Sequence, residues 1–130
     1  MKSKTMNVVT WVAQGLLSIM MIMTGAMKLM TPYEELVENM AWVEDFSPMQ
    51  IMIIATLEIL GVIGLNLPFL LKKFKKLVPV AGLGLALIMV GAIITHIGRG
   101  ENFVMPLVLL AVALFVAYGR RGLLAKATED

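Results

Sequence analysis

The sequence contains no cysteine and only one histidine, His96, among its 130 residues. The absence of cysteine excludes a disulfide framework, a thiol relay and any iron–sulfur cluster or other metal centre held by cysteine ligands. A single histidine also disfavours a haem protein, because one chain then cannot provide two axial nitrogen ligands. The basic residues form no stripe with interleaved aromatic residues, so nucleic-acid binding is not expected.

Charged residues are nearly absent from four long apolar segments. Hydrophobic residues make up 59% of the chain, and the charged residues, 15% of it, lie mainly between those segments. An apolar run of about 20 residues is long enough to span a bilayer as a helix. We therefore expect an all-α integral membrane protein, a four-helix bundle that forms one domain over residues 1–130. The predicted membrane helices cover residues 7–29, 48–67, 77–97 and 103–118.

The connection after the first segment is acidic and carries no basic residue. Its Thr31–Glu34 stretch has the form of a capping box and predicts a short helix over residues 32–40. Trp42 is expected to anchor this connection at the membrane surface. The Ser47–Gln50 stretch repeats the capping pattern, which predicts that the second membrane helix begins at Pro48.

Proline and glycine predict where helices end and how closely they pack. Pro68 lacks a backbone donor and disfavours a helical conformation at the preceding residue, so the second membrane helix is expected to end at about residue 67. Asn102 is the expected cap of the last helix. Small residues predict close packing of the second and third membrane helices: Gly61, Gly64, Gly82, Gly84, Ala86, Gly91 and Ala92.

Basic residues concentrate on one side of the predicted bundle. The two terminal segments and the connection between the second and third membrane helices contain most of them: Lys2, Lys4, Lys72, Lys73, Lys75, Lys76, Arg120, Arg121 and Lys126. The other side has Arg99 and, at a helix end, Lys28. Because cytoplasmic segments are enriched in lysine and arginine, both termini are expected in the cytoplasm and the short helix outside, in a protein of the cytoplasmic membrane.

Glu58 is the one acidic residue inside the predicted membrane helices. It lies roughly 15 Å along its helix, close to the middle of a hydrocarbon core about 30 Å thick. A carboxylate at that depth costs about 2.5–3.5 kcal/mol on insertion scales. We therefore expect Glu58 to face other helices and either to find a donor or to carry a proton.

Several other polar residues are expected near Glu58. Lys28 lies at the outer end of the first helix, and His96, Arg99 and Glu101 lie at or just beyond the outer end of the third. Glu58 and His96 are offset along the helix axes by about 10 Å, so the long Lys28 side chain or a ligand joins them more easily than direct contact. The sequence predicts an outer-half polar pocket, with Glu58, Lys28, His96 and Arg99 as ligand-binding or proton-relay residues.

Each of these residues also has a structural interpretation. Lys28 and Arg99 are typical of side chains that reach to lipid headgroups, and His96 at a helix end can simply bond a carbonyl. Glu58 can form a buried salt bridge without any ligand. The twelve methionines lie in apolar runs without ligand-like clustering, so core filling explains them better than metal binding, and no metal site is expected.

Short patterns occur in order along the chain: Gly25-Ala26-Met27-Lys28-Leu29, Glu58-Ile59-Leu60-Gly61, His96 with Arg99, and Pro106 early in the fourth helix. Over about residues 6–118 the chain thereby resembles the DoxX-like family of small four-helix membrane proteins. The resemblance implies that Lys28, Glu58, His96 and Arg99 are the family's polar positions. Some relatives are membrane subunits of oxidoreductase systems, including thiosulfate:quinone oxidoreductase, and others are associated with quinones or oxidative stress. The wider group includes membrane assembly factors.

Two functions follow from the residues and the resemblance. In the first, the chain is a membrane subunit or small-molecule binding protein linked to redox metabolism, in which Lys28 and His96 donate to the oxygen atoms of a quinone-like or lipid-like ligand and Glu58 accepts or relays a proton. The expected partners are membrane lipids, that amphipathic ligand, an oxidoreductase subunit and a second copy of the chain. In the alternative, the chain is a non-catalytic membrane scaffold or assembly factor whose buried polar network is structural. Catalytic residues, and whether the protein is an enzyme, stay open.

Overall fold

The computed structural model describes residues 4–125 and is built of helices, with no strand in that range. The helices are α1 (Lys4–Met30), α2 (Tyr33–Asn39), a 3-10 helix (Ala41–Asp45), α3 (Pro48–Leu71), α4 (Leu77–Gly98), α5 (Val104–Gly119) and α6 (Gly122–Ala125). Four stretches are long and apolar enough to cross a membrane: α1, α3, α4 and the combined α5–α6 stretch. The predicted all-α four-helix membrane bundle is confirmed. Lys2 and Lys126, which contributed to the orientation prediction, lie outside the described residues.

The four long helices pack in a ring, in which α1 contacts α3, α3 contacts α4, α4 contacts α5, and α5 contacts α1. Successive long helices run in opposite directions, since Arg99 after α4 bonds to Glu44 and Asp45 before α3, and Arg120 after α5 bonds to Asn7 near the start of α1. One end of the bundle therefore carries the 31–47 and 99–103 connections, and we call it the histidine end. The opposite end carries the start of α1, the 72–76 connection and Arg120, and we call it the arginine end.

Helix α3 continues through Pro68 to Leu71, so the prediction that it ends at about residue 67 was wrong. Proline removes one intrahelical bond, but in membrane helices neighbouring side chains can satisfy the backbone around it. Gln14 of α1 donates from its Nε2 atom to the Leu65 carbonyl at 2.9 Å, next to the Gly64 carbonyl that Pro68 leaves without its intrahelical donor. The helix ends instead at Lys72, whose φ of 60° is left-handed.

Two of the three predicted caps form. At the start of α3, the Gln50 N–H donates to Ser47 Oγ at 3.1 Å and the Ser47 N–H donates to Gln50 Oε1 at 2.9 Å, which confirms that capping box. Asn102 accepts from the Val104 N–H at 2.7 Å. The box predicted from Thr31 is wrong: its N–H still bonds to α1, and α2 begins at Tyr33 without a side-chain cap.

Glycines let α3 and α4 approach closely at two of the predicted positions. A Cβ atom on Gly61 would lie 2.5 Å from Leu85 Cδ2, and one on Gly64 would lie 3.0 Å from Ala81 Cβ. Gly82 instead meets Ala117 of α5, while Gly84 has no neighbour within 4 Å of such an atom. The close-packing prediction is therefore confirmed for the α3 glycines, Gly61 and Gly64, and not for Gly82, Gly84 and Gly91 of α4.

Candidate functional site

A buried ion pair links α1 to α3. Lys28 Nζ lies 3.1 Å from Glu58 Oε1 and 3.0 Å from Glu58 Oε2, and Thr24, one turn before Lys28, donates to Oε1 at 3.4 Å. The side chains of Lys28 and Glu58 are 7% and 2% exposed. Glu58 thus faces a neighbouring helix and has a cationic donor. Each charge depends on the other, because an unpaired charge at this depth would be strongly destabilising.

The long reach of Lys28 closes the axial gap that the sequence predicts. Lys28 sits in the last turn of α1, whereas Glu58 lies near the middle of α3. The lysine side chain therefore runs back into the bundle rather than outward to a headgroup. This position argues against the interpretation of Lys28 as a surface anchor.

A second charged group lies at the end of α4. His96 Nδ1 is 2.9 Å from Glu101 Oε1, and Arg99 Nε donates to Glu101 Oε2 at 2.8 Å. The two Nη atoms of Arg99 reach the 3-10 helix, where they donate to Asp45 and Glu44, each at 2.9 Å. The hydrogen bond from Arg99 lowers the pKa of Glu101, and the bond to Glu101 raises that of Arg99. Arg99 thus fastens the 31–47 connection to the end of α4.

Trp42 lies between the two groups. Its ring centroid is 5.5 Å from Lys28 Nζ and 6.1 Å from the centroid of the His96 ring. The first distance is a cation–π contact and the second is an edge-to-face contact. Trp42 therefore packs inside the histidine end rather than acting only as a surface anchor. Its role was not predictable, because it depends on a 3-10 turn that folds back over the bundle.

The segment that carries Trp42 has a small core of its own. Leu36, Val43 and Ile51 are buried together at the histidine end. The Tyr33 hydroxyl donates to the Val43 and Phe46 carbonyls and so ties α2 to the end of the 3-10 helix. We call residues 33–46 the cap segment. Its packing fixes Trp42 above Lys28.

A cavity of about 320 Å³ lies beneath the cap segment, and we call it the Glu58 cavity. Its volume is at the lower end of the range for small-molecule pockets. It is lined by Lys28, Trp42, Phe46, Ile54, Glu58, Ile88, Met89, Gly91, Ala92, Thr95 and His96. The structure thus brings three of the four predicted site residues to one space, Lys28, Glu58 and His96. Arg99 lies outside this cavity and forms ion pairs with Glu44 and Asp45 of the cap segment.

The polar groups of this cavity have complementary hydrogen-bonding capacity. Glu58 binds two donors, Lys28 and Thr24, while Lys28 carries three N–H protons. The His96 Nδ1 atom faces a carboxylate, which favours a proton on Nδ1 and leaves Nε2 as an acceptor in the neutral ring. Among residues 4–125, no group of three or more histidine or acidic side chains could hold a metal ion. The arrangement can bind a polar oxygen-bearing group against apolar walls.

Comparison with protein families gives one clear result. The model of the DoxX-like family matches residues 12–116, which is most of the chain. The matched range includes Lys28, Glu58, His96 and Arg99. Searches of curated proteins and of solved structures gave no match.

Proposed function

We propose that this chain, which belongs to the DoxX-like family and is an integral membrane protein, binds an amphipathic small molecule in the Glu58 cavity as part of redox metabolism. The ligand class is quinone-like: a flat polar head with two oxygen atoms and an apolar tail. The observation that carries this proposal is the composition of the cavity. Lys28, Glu58 and His96 are grouped among apolar residues that suit a tail.

Lys28 and His96 would hold the head of the ligand. Two N–H groups of Lys28 donate to Glu58, so the third N–H can donate to a carbonyl oxygen of an oxidised ligand. His96 Nε2 would accept from a hydroxyl group of the reduced ligand, or donate to a carbonyl when the ring is protonated. Trp42 supplies a ring face on which a flat head can stack.

Glu58 would accept or relay the proton that accompanies reduction of such a ligand. Its carboxylate bonds to both Lys28 and Thr24. A change of charge at Glu58 would therefore directly alter the electrostatic attraction on the Lys28 ammonium, which holds the ligand. The chain has no cysteine for thiol chemistry. We therefore assign the supply of electrons to a partner oxidoreductase subunit, with this chain as the binding subunit.

The orientation in this proposal follows from the charges at the two ends. The arginine end carries the lysine-rich 72–76 connection and would lie in the cytoplasm, so that the Glu58 cavity opens towards the outer half of the cytoplasmic membrane. Because the chain lacks cysteine, single-cysteine variants at the exposed positions Glu38 and Lys73 can test this. A membrane-impermeant maleimide should label Glu38→Cys in intact cells and Lys73→Cys only after permeabilisation. The reverse pattern would contradict the orientation.

One observation favours a second function, that of a non-catalytic scaffold or assembly factor. Both oxygens of Glu58 are already bound by Lys28, and each of the three side-chain nitrogens of Arg99 binds a carboxylate of the cap segment or of Glu101. In this alternative the polar groups lock the bundle and the Glu58 cavity holds only bulk lipid.

The two functions differ in what the purified protein carries. We would purify the wild type, Glu58→Gln and the control Thr56→Val in a mild detergent, then extract each and identify the extracted molecules by mass spectrometry. Thr56 is on the same helix but exposed, so its substitution leaves the cavity intact. The proposal predicts a quinone-like or lipid-like molecule enriched in the wild type and the control and lost in Glu58→Gln. Equal recovery of bulk lipid from all three would contradict it.

A further inference from the structure

A second buried cation, Arg120, lies at the arginine end. It follows α5 directly, yet only 7% of the residue is exposed. Its Nε atom donates to Gln14 Oε1 at 2.9 Å and its Nη1 atom donates to Asn7 Oδ1 at 3.1 Å. Gln14 in turn donates to Asn66 Oδ1 at 3.1 Å. Arg120 is thus held in place by neutral amides of α1, and no described carboxylate is bonded to it.

The third nitrogen of the guanidinium has no hydrogen-bond partner among residues 4–125. Arg120 Nη2 is a buried side-chain atom without a hydrogen bond to any part of the chain that the structure describes. The Trp11 and Phe69 rings lie close to the guanidinium carbon, at 4.4 and 5.1 Å from their centroids. The rings stabilise the cation but accept no conventional hydrogen bond from Nη2. A buried donor without an acceptor is costly, so the site is incomplete as it stands.

Within residues 4–125, no carboxylate lies at the arginine end to complete the site. The charged residues of the arginine end within positions 4–125 are all basic: Lys4, Lys72, Lys73, Lys75, Lys76, Arg120 and Arg121. The acidic residues of that range lie in the cap segment, at Glu58 and at Glu101. Among residues 4–125, the charges at this end would therefore all attract an anion near Arg120.

Space for such an anion lies beside the guanidinium. A cavity of about 170 Å³ is lined by Phe69, Gly119, Arg120, Gly122 and Leu123. A water molecule occupies about 30 Å³ in the liquid, so the space can take a group the size of a phosphate. Gly122 contributes no side chain, and a Cβ atom there would meet nothing within 4 Å.

We propose that Arg120 binds a phosphate group in this cavity, either the headgroup of an anionic lipid or a free phosphate ion. The fork of the guanidinium matches phosphate oxygens. Nη2 is buried from water in this structure, so a shift of the Arg120 side chain towards the cavity would bring this unpaired donor to a phosphate oxygen. The amides of Asn7 and Gln14 position the fork, and the aromatic rings keep it away from water. This site is at the opposite end of the bundle from the Glu58 cavity and is independent of the proposed function.

Trp11 provides a reporter for this site, because the chain has only two tryptophans and Trp11 touches Arg120. In a Trp42→Phe background in detergent, Trp11 fluorescence would be followed during titration with short-chain phosphatidylglycerol, with inorganic phosphate, and with the uncharged diacylglycerol of the same chain length. Sodium chloride would hold the ionic strength constant. We expect a saturable change with a phosphate-bearing probe and none with diacylglycerol. Saturation with the lipid alone identifies a headgroup site, and saturation with inorganic phosphate as well identifies a general phosphate site.

The matched variants are Arg120→Gln and Arg121→Gln, which remove the same charge from adjacent positions. Arg121 is exposed and bonds to the Tyr118 carbonyl. Arg120→Gln should weaken the apparent affinity by about tenfold or more, a difference of about 1.4 kcal/mol, and Arg121→Gln should change it by far less.

Gly122→Leu gives a separate test that keeps Arg120 and its amide partners, because it only fills the cavity. It should weaken binding as Arg120→Gln does, and it serves alone if Arg120→Gln does not fold. Affinity that is unchanged in Gly122→Leu, or absence of saturable binding by both phosphate-bearing probes, would overturn the proposal.

Discussion

The two ends of the bundle each bury one basic side chain, but they satisfy it differently. At the histidine end, Lys28 is paired with both oxygens of Glu58. At the arginine end, Arg120 has amide and aromatic neighbours and one nitrogen without a partner in the described chain. Among residues 4–125, the buried positive charge is thus paired with a carboxylate at one end and not at the other. One end thus has an internal ion pair that lines a cavity, and the other has a separate cation for which we propose an external anion.

The largest expected loss of unfolding free energy is for a substitution of Lys28, which removes the balanced charge pair at the histidine end. Lys28→Met would leave Glu58 as an uncompensated buried charge, which typically costs about 3–5 kcal/mol. The unfolding free energy in mild detergent, measured with a denaturant, should fall by that order. The double variant Lys28→Met with Glu58→Leu should recover much of the loss, because no charge then stays buried. A double variant as unstable as the sum of the two single variants would show that the residues act independently.

The same substitution at Arg120 should cost less. Arg120→Met removes a cation that has no described carboxylate partner, so it leaves only the neutral amides of Asn7 and Gln14 without a donor. We expect a loss of about 1–3 kcal/mol in the same measurement. A loss equal to that of Lys28→Met would mean that Arg120 is balanced by a negative charge inside the protein.

The smallest expected effect is a pH dependence at the surface of the histidine end. Arg99 lowers the pKa of Glu101 in the folded protein, so the stabilisation is present above the pKa of the unfolded chain and is lost as the pH falls through the folded value. The unfolding temperatures of wild type and Glu101→Gln should therefore differ at neutral pH and converge below about pH 4.3, the usual pKa of glutamate. A constant difference from pH 7 to pH 3 would contradict this role of Glu101.

The histidine end was partly predictable because its signals are local and strong. A carboxylate deep in an apolar segment must find a donor, and Lys28 was the nearest long cation on a neighbouring helix. Position in the sequence could not show that His96 and Arg99 would pair with Glu101, or that the 3-10 helix would bring Trp42 and two carboxylates onto the same surface. Those contacts depend on the path of a connection that folds back, which apolar periodicity does not encode.

The arginine end was not predictable in the same way. Arg120 follows an apolar segment next to Arg121, and both were interpreted as residues of the cytoplasmic side that set orientation. The signal that could have distinguished them is on another helix, where Gln14 and Ser18 form a polar stripe on α1. Asn66 bonds to both of these residues, although it belongs to a segment where Pro68 was expected to end the helix. The continuation of α3 through Pro68 keeps Asn66 on a helix that faces α1.

The central claim is that the Glu58 cavity binds a quinone-like molecule, and Trp42 lines that cavity. In a Trp11→Phe background, Trp42 fluorescence would be titrated with a short-chain quinone in the wild type, Glu58→Gln and Thr56→Val. We predict saturable quenching in the wild type and in Thr56→Val, and a clear loss of affinity in Glu58→Gln. Quenching that rises linearly with quinone concentration and is the same in all three would contradict the claim, because it would reflect only quinone dissolved in the detergent.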